Sequence, residues 1–303
     1  MKARLLGTSA GGALPQWNCN CRVCQAARRD PSSVKPRSQS SVAVSADGER
    51  WFLLNVSPDI RFQMEAFPPL RATRKVRGSA VEGVLLTNAD LDHTLGLLLI
   101  REGERLAIHA SGRVRASLEQ GLRAPSLLEK YSGADWREPP FEALRPLLTR
   151  SGEPSGLRYQ AFAVPGKVPR YLEGIATGEP TDNLGYRLVD ERTGGRLVFI
   201  PDCGHLDAGV RAQMAACEAL LFDGTFWSEG EMAELGGRPA AAMAHQPVGG
   251  EGGTLAALAG LSCRRIYLHL NNTNPMLLPD SPERAAVFAA GVEIGEDGQE
   301  LEL

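Results

Sequence analysis

Short apolar runs separated by polar loops recur along the chain, and they predict many short strands with helices between the later ones. Two early runs flank Asp47-Gly48 and are typical of an antiparallel hairpin. Later runs alternate with helical patterns, which indicates parallel strands joined by helices. The whole pattern favours two sheets packed face to face with helices outside, an α/β (α+β) class of fold. The predicted strands cover residues 2–6, 41–44, 51–56, 81–86, 106–109, 159–164, 184–189, 196–200, 219–222 and 265–268.

The length of 303 residues allows one large domain or two. The order of the elements favours a single domain over residues 1–303, and no internal repeat of fixed period is visible. Residues 121–157 contain few apolar periodicities and several prolines. We interpret this segment as an insertion or a lid rather than a second domain.

The charge balance excludes two classes of protein. A formal net charge of −3 gives no dominant basic patch, which argues against proteins that bind nucleic acid or membrane surfaces. No apolar run approaches the roughly 18 residues of a membrane span. The first residues also lack the apolar stretch of a signal peptide, so we expect a cytoplasmic protein.

Polar side chains follow three of the predicted strands. After residues 81–86 come Asn88, Asp90, Asp92 and His93. Charges near a core are costly unless they share a counter-charge, and ligands in open α/β sheets bind beyond the carboxyl ends of strands. This loop therefore indicates half of a metal site.

Two later strand ends repeat this pattern. Asp202 and His205 follow residues 196–200, and His269 with a run of asparagines follows residues 265–268. A single aspartate there is usually a helix cap, and a lone histidine is usually a core residue. Three such clusters in one sheet system favour a shared metal site instead.

Three further histidine positions have different interpretations. His109 ends a strand and is expected to be structural. His205 either contacts a metal ligand without binding the metal itself or lies at the surface. His245 lies in a loop where it could act as a catalytic acid or base, or have no such role.

Three of the six cysteines lie close together as Cys19, Cys21 and Cys24. In a reducing compartment such a cluster favours a zinc site over disulfides, and the remaining alternative is three reduced thiols without a metal. Cys203, Cys217 and Cys263 have apolar neighbours in sequence and are expected in the core.

These motifs resemble the metallo-β-lactamase superfamily and, within it, the PqqB family of pyrroloquinoline quinone (PQQ) biosynthesis. The resemblance runs nearly end to end and implies a metallo-β-lactamase αββα sandwich. The motifs that carry it are the three cysteines and residues 6–12, 54–59, 87–93, 164–167, 200–204 and 269–275.

The resemblance also implies one metal position where the superfamily has two. Its usual loop is His-x-His-x-Asp-His, whose first two histidines hold one metal with a third, later histidine. The corresponding residues here are Asn88, Asp90 and, by the alignment we favour, Lys167. The other position keeps its ligands, with Asp202 at the place that usually bridges two metals. Those ligands are Asp92, His93 and His269.

Two histidines and a carboxylate form the facial triad of non-haem Fe(II) oxygenases, so we expect one redox-active metal, with iron as the first candidate. The resemblance implies hydroxylation of the tyrosine ring of a Glu-Tyr derived precursor by molecular oxygen, alongside other PQQ biosynthesis proteins. His245 or Lys167 would move protons or hold substrate carboxylates. Asp90 and Asp202 would complete or tune the set of metal ligands. Asn88, Asp59 and His205 would contact those ligands without binding the metal.

Two other functions stay open. A metal-dependent hydrolase would need a second metal, and a carrier of PQQ or its precursor would bind without turnover. The cysteine cluster resembles a structural zinc site of phosphodiesterase-type relatives, in which a histidine three residues after the late ligand completes the set. Asn272 takes that place here, and water or a backbone group is the alternative fourth ligand.

Overall fold

The computed structural model of the protein describes residues 1–72 and 76–303, and in this part of the chain fourteen strands form two sheets of seven. The strands are β1 (Lys2–Gly7), β2 (Ser41–Ser45), β3 (Trp51–Leu54), β4 (Val81–Leu85), β5 (Leu106–His109), β6 (Ala134–Arg137), β7 (Arg145–Leu148), β8 (Pro154–Ala163), β9 (Leu184–Asp190), β10 (Arg196–Ile200), β11 (Ala219–Asp223), β12 (Arg264–Leu268), β13 (Glu293–Ile294) and β14 (Glu300–Glu302).

Helices connect many of these strands. They are α1 (Arg22–Arg29), α2 (Ile60–Ala66), α3 (Leu91–Thr94), α4 (Gly96–Leu99), α5 (Gly112–Leu122), α6 (Ala124–Leu128), α7 (Ala208–Met214), α8 (Thr254–Ala259) and α9 (Pro282–Ala289). Over the described ranges, none of them combines the length and the apolar character needed to cross a bilayer.

Each sheet is antiparallel on one side and parallel on the other. The order is β14-β1-β2-β3-β4-β5-β6 in the first sheet and β13-β12-β11-β10-β9-β8-β7 in the second. Strands β10, β11 and β12 are parallel neighbours, so the residues that follow them lie along one edge of the second sheet. In the first sheet, β4 is parallel to β3 and β5 and leads into residues 86–94.

The layers confirm the predicted αββα sandwich. Between the sheets, Phe52 and Leu85 share one apolar cluster with Phe199 and Leu221. Residues of α2, α4, α5 and α6 cover the outer face of the first sheet. Residues of α1, α7, α8 and α9 cover the outer face of the second. Consecutive residues of a strand point to opposite faces, so each buried strand supplies two layers with apolar side chains.

Residues 121–157, interpreted from the sequence as an insertion or a lid, include strands of both sheets. This segment contains α6, β6, β7 and the start of β8, and it passes from one sheet to the other. Strand β6 pairs with β5 at one edge, and β7 pairs with β8 at the other. Ala134 of β6 and Leu147 of β7 are the buried residues of these two edge strands, and β7 contains Pro146, so the apolar pattern is too weak to show these strands.

Residues 91–99 form two short helical turns, α3 and α4, and Gly96 at the start of α4 packs directly on the chain that follows β3. A Cβ at this position would lie 2.3 Å from the carbonyl oxygen of Ser57. The Gly96 amide donates to the carbonyl of Val56 at 3.0 Å, and the Val56 amide donates to the carbonyl of His93 at 2.8 Å. These contacts fix the polar loop after β4 against the first sheet.

The second sheet holds the same loop from the other side. The hydroxyl of Tyr186, fully buried in β9, donates to the carbonyl of Leu86 at 2.9 Å. The amide of Leu184 donates to the carbonyl of Thr87 at 2.8 Å. The loop that carries the candidate ligands is therefore bound to both sheets.

Replacing Tyr186 by phenylalanine should lower the free energy of unfolding by about 1–2 kcal/mol, because a buried carbonyl loses its donor while the ring stays in place. Denaturant-induced unfolding measures this loss. The matched control is Tyr131→Phe, since that side chain is 52% exposed, and its effect should stay within about 0.5 kcal/mol. Equal stability of the Tyr186 variant and the wild type would refute the proposed bridge between the sheets.

Candidate metal centre

The residues after β4, β10, β11 and β12 meet where the two sheets face each other. They bring together aspartates and histidines from positions far apart in the chain. Within the described ranges, three groups of such side chains are close enough to share an ion, each with ligand atoms within 4.8 Å of one another. The groups are Asp92/His93/His269, Asp202/His245/His269 and Cys19/Cys21/Cys24.

The first group has the geometry of a three-ligand site. Asp92 Oδ2 lies 3.0 Å from His269 Nε2 and 4.0 Å from His93 Nε2. The two imidazole rings lie 4.9 Å apart at 76°, and both histidines are buried. The two Nε2 atoms therefore face the same carboxylate from different directions.

Threonine hydroxyls fix the other nitrogen of each ring. Thr225 Oγ1 lies 2.8 Å from His269 Nδ1, and Thr87 Oγ1 lies 3.3 Å from His93 Nδ1. Asn55 in turn donates to the Thr87 hydroxyl at 2.9 Å. Partners of this kind set ring orientation in metal sites, and they leave Nε2 for the ion.

A buried polar atom without a partner supports a metal at this place. His93 Nε2 has no hydrogen-bond partner among the described residues, although it is inaccessible to solvent. Such an atom costs free energy unless an ion or a water satisfies it. The donor set of Asp92, His93 and His269 fits a divalent transition metal.

Asp202 lies at the centre of the cluster. Its Oδ2 accepts a hydrogen bond from Asn88 Nδ2 at 2.7 Å and lies 3.3 Å from His93 Nδ1. Its Oδ1 lies 3.4 Å from His269 Nδ1 and 3.8 Å from His245 Nδ1. Asp202 is thus placed to offset the positive charge of a protonated imidazole and to contact a bound ion.

The residues aligned with the superfamily's other metal position have different partners. Asn88 uses its amide nitrogen on Asp202, and its Oδ1 accepts from the Asp90 amide at 3.0 Å. Lys167 Nζ lies 2.6 Å from Glu173 Oε1. Asp90 belongs to none of the three groups close enough to share an ion in the described chain.

The concentration of carboxylates shifts several pKa values. Burial, together with the charges of Asp92 and Asp202, raises the pKa of Asp90 to about 7. Burial opposes ionisation of Asp92 too, but the neighbouring His93 and His269 hold the pKa of Asp92 well below its usual range. Burial lowers the pKa of His93. It also opposes protonation of His269, but Asp202 and Asp92 raise the pKa of His269 to about 10.

A buried aspartate that the sequence reasoning missed positions His245. Asp223 Oδ2 lies 2.8 Å from His245 Nδ1, and Asp223 also accepts from the amides of Cys203 and Thr225, each at 2.9 Å. Burial opposes charge on both partners, but their pairing raises the pKa of His245 and lowers that of Asp223. The His245 ring stacks on His269 at 5.5 Å and 27°. Asp223 ends an apolar strand, as Asp202 nearly does, and that signal could have identified it.

Two predicted supporting residues differ in outcome. Asp59 accepts from the backbone and side-chain nitrogens of Gln39, at 2.9 and 3.1 Å, and Gln39 accepts from the Gly12 amide. Gly11 beside it packs against Asp92, so Asp59 acts through this loop. His205 is exposed, which favours a position at the surface over contact with a metal ligand.

The expectation for His109 agrees with the structure. Its side chain is buried, and Nδ1 lies 2.8 Å from the Tyr159 hydroxyl across the two sheets. Burial lowers the pKa of His109 to about 3.

The cysteine cluster gathers around Asn272. Its amide nitrogen lies 3.1 Å from Cys19 Sγ, 3.7 Å from Cys21 Sγ and 3.2 Å from Cys24 Sγ. Cys21 caps the N-terminus of α1, and its Sγ also lies 3.4 Å from the backbone carbonyl of Asn272. A half-turn of the amide would present its oxygen to the same three sulfurs. The side-chain amide of Asn272 thus lies where the three sulfurs converge.

Comparison with known proteins identifies relatives over the full length. A family model described as "Beta-lactamase superfamily domain" matches residues 50–269. Coenzyme PQQ synthesis protein B of Azotobacter vinelandii (strain DJ) is 40% identical over 306 residues, and that of Methylobacterium nodulans is 41% identical over 313. Each alignment covers 100% of both chains.

Solved structures agree with the sequence comparison. The crystal structure of Zn(2+)-bound PqqB from Methylobacterium extorquens matches with a TM-score of 0.89 and 39% identity, covering 100% of both chains. A diphosphatase of the PhnP family matches with a TM-score of 0.69 and 18% identity over 100% of this chain and 98% of its own, which shows the fold alone. On the full-length identity and the shared two-sheet architecture, the chain belongs to the beta-lactamase superfamily and, within it, to the family of coenzyme PQQ synthesis protein B.

Proposed function

We propose that this protein acts in PQQ biosynthesis as an iron-dependent oxygenase that hydroxylates the tyrosine ring of a Glu-Tyr derived precursor. Full-length relatives that are named for coenzyme PQQ synthesis support the pathway. The reaction type rests on one observation: two imidazole nitrogens and one carboxylate oxygen converge, while the adjacent metal position has lost its imidazoles.

The hydrogen bonds at the lost position argue against hydrolysis by two metals. Such hydrolysis uses a pair of ions about 3.5–4 Å apart that stabilise both the attacking and the leaving oxygen. Here the Asn88 amide donates to Asp202 at 2.7 Å, on the carboxylate that a second ion would share. The ammonium of Lys167 replaces the third imidazole of that position in our alignment. A single ion is the simpler occupant of this donor set.

Asp92, His93 and His269 would hold the ion. Three ligands on one face of Fe(II) leave positions open, and the bound iron would supply activation of oxygen. The overall change consumes one ring C–H bond, one O₂, two electrons and two protons, and it yields one ring C–OH and one water. The electrons would come from a two-electron reductant such as ascorbate.

His245 is placed to move a proton beside the ion. Its Nδ1 is engaged by Asp223 at 2.8 Å, which fixes the ring and leaves Nε2 for exchange. The stacking on His269 keeps the ring next to the candidate ligands. Asp223 is a positioning residue, because it acts through the imidazole.

We further propose a structural zinc ion at Cys19, Cys21 and Cys24. Three sulfurs that surround one amide group within 3.7 Å match the size of a tetrahedral site. The cysteines belong to the segment that follows β1 and contact Asn272 in the loop after β12, so an ion there would tie Asn272 and the nearby His269 to the N-terminal segment.

Metal exchange tests the reaction type. Protein freed of metal and reloaded anaerobically with Fe(II) should consume O₂ in proportion to hydroxylated Glu-Tyr dipeptide once oxygen and ascorbate are added. Protein with zinc alone should not. Asp92→Ala should lower kcat/KM by more than about 100-fold, because one of three ligands is lost.

Either of two results would refute the oxygenase. Full activity with zinc alone would favour a hydrolytic or other non-redox reaction. Tight binding of PQQ without turnover, together with PQQ production in cells that carry Asp92→Ala, would favour a carrier.

His245→Gln should lower kcat by about 100-fold or more while the iron content stays unchanged, because a positioned proton donor or acceptor contributes about 10²–10⁴-fold. Steady-state kinetics and metal analysis on the same sample measure both quantities. His205→Gln is the matched control, since this exposed histidine should leave kcat unchanged. Loss of iron in the His245 variant would instead assign this residue to the metal.

A further inference from the structure

Three charged side chains form an ion-pair cluster beside the metal centre. Glu173 Oε1 lies 2.6 Å from Lys167 Nζ. The guanidinium of Arg238 contacts the same carboxylate with both terminal nitrogens, at 2.8 Å to Oε2 and 3.1 Å to Oε1. One carboxylate therefore lies between two cations that come from distant parts of the sequence.

The backbone around Lys167 and Glu173 is attached to the loops that carry the candidate ligands. The Gly204 amide, two residues after Asp202, donates to the carbonyl of Pro165 at 2.7 Å. The Tyr171 hydroxyl donates at 2.7 Å to the carbonyl of Ala89, inside the loop after β4. The segment 165–173 thus contacts both metal-binding loops.

Arg238 reaches the cluster from the loop that also carries His245. This loop joins β11 to α8 and spans residues 224–253, with two short 3₁₀ turns. The carbonyl of Ala240 accepts from the His245 amide at 3.1 Å. Long loops of this kind in compact domains are usually functional, and here one loop links the acid–base candidate to the cation.

The charges of the cluster favour an anionic ligand. Two cations share one carboxylate, so one positive charge remains beside a centre that contains Asp90, Asp92 and Asp202. The side chains of Lys167, Glu173 and Arg238 are 26%, 32% and 38% exposed, which leaves the cluster open to a ligand. Arg238 Nε also has no hydrogen-bond partner among the described residues.

We propose that Lys167 and Arg238 form a carboxylate-binding subsite for the substrate, and that Glu173 occupies this subsite until a substrate carboxylate replaces it. The proposal rests on the proposed function for the identity of the substrate. A carboxylate beside the three aspartates would be repelled, whereas the planar fork of an arginine binds carboxylates through two parallel hydrogen bonds.

The state of Glu173 agrees with this exchange. Its hydrogen bonds with Arg238 and Lys167 lower the pKa of Glu173 to about 2, so it stays ionised and presents the same chemical group as the incoming ligand. Replacement of one carboxylate by another keeps both cations paired. The Glu173 side chain is 32% exposed, so water can solvate it once it is displaced.

Calorimetric titration of the metal-loaded protein with the Glu-Tyr dipeptide tests the subsite. A second ligand, the same dipeptide with both carboxyl groups converted to amides, serves as the uncharged probe. Arg238→Gln and Lys167→Gln should each raise the Kd of the dipeptide about tenfold or more, and the Kd of the diamide should not change. Glu173→Gln should lower the Kd of the dipeptide severalfold, because the internal competitor is removed.

The opposite effects of Arg238→Gln and Glu173→Gln on the Kd of the dipeptide distinguish substrate recognition from a purely structural ion pair. If these ion pairs only stabilised the loops, Arg238→Gln and Glu173→Gln would both raise the Kd of the dipeptide and the Kd of the diamide. Arg105→Gln is the matched control, since Arg105 pairs with Glu129 and Asp135 at the far edge of the first sheet and should not affect binding. Metal content measured on each variant confirms that the centre is intact.

The outcomes for the subsite and for the oxygenase are distinct. Dipeptide binding that depends on Arg238 and Glu173 as described, but without oxygen consumption, supports the subsite and refutes the oxygenase. Oxygen consumption with equal dipeptide affinity in wild type and Arg238→Gln overturns the subsite alone. The subsite is also overturned if the wild type binds the diamide as tightly as the dipeptide, or binds neither.

Discussion

Electrostatic repulsion among buried and half-buried carboxylates is the constraint on which this structure depends. Asp90, Asp92, Asp202 and Asp223 lie within one cluster at the meeting edge of the two sheets, where their charges are poorly solvated. Imidazoles and the Asn88 amide offset part of the cost. A bound cation would offset much of the rest, and the partnerless Nε2 of His93 indicates where that cation would lie.

The rest of the fold restrains the side chains around this cluster. Tyr186 and Gly96 hold the loop after β4 against both sheets, and Thr225 orients His269 through the ring nitrogen that faces away from Asp92. His269 itself has a φ of +57°, a left-handed conformation that costs a non-glycine residue free energy. The packed sheets thus stabilise a local arrangement that is unfavourable on its own.

The sequence predicted the parts of the molecule that depend on local pattern. Apolar runs predicted the strands of the buried sheets, and polar residues directly after them predicted the clusters around His93, Asp202 and His269. It did not predict Arg238 and Glu173, because two charged residues in separate loops carry no sign that they pair. The exposed position of His205 could not be decided either, since the direction of a loop after a strand depends on tertiary contacts. The edge strands β6 and β7, within residues 121–157, were not predicted either. They are partly exposed and show no regular alternation of apolar and polar residues.

We propose that one ion, and not two, binds at Asp92, His93 and His269. Anomalous diffraction at the iron and zinc absorption edges, from crystals of iron-loaded protein grown without oxygen, tests it most directly. The account predicts a single iron peak in contact with these three side chains and a zinc peak among the cysteines around Asn272. A second peak about 3.5–4 Å from the first, on the side of Asn88 and Asp90, or the absence of any peak at the three ligands, would contradict it.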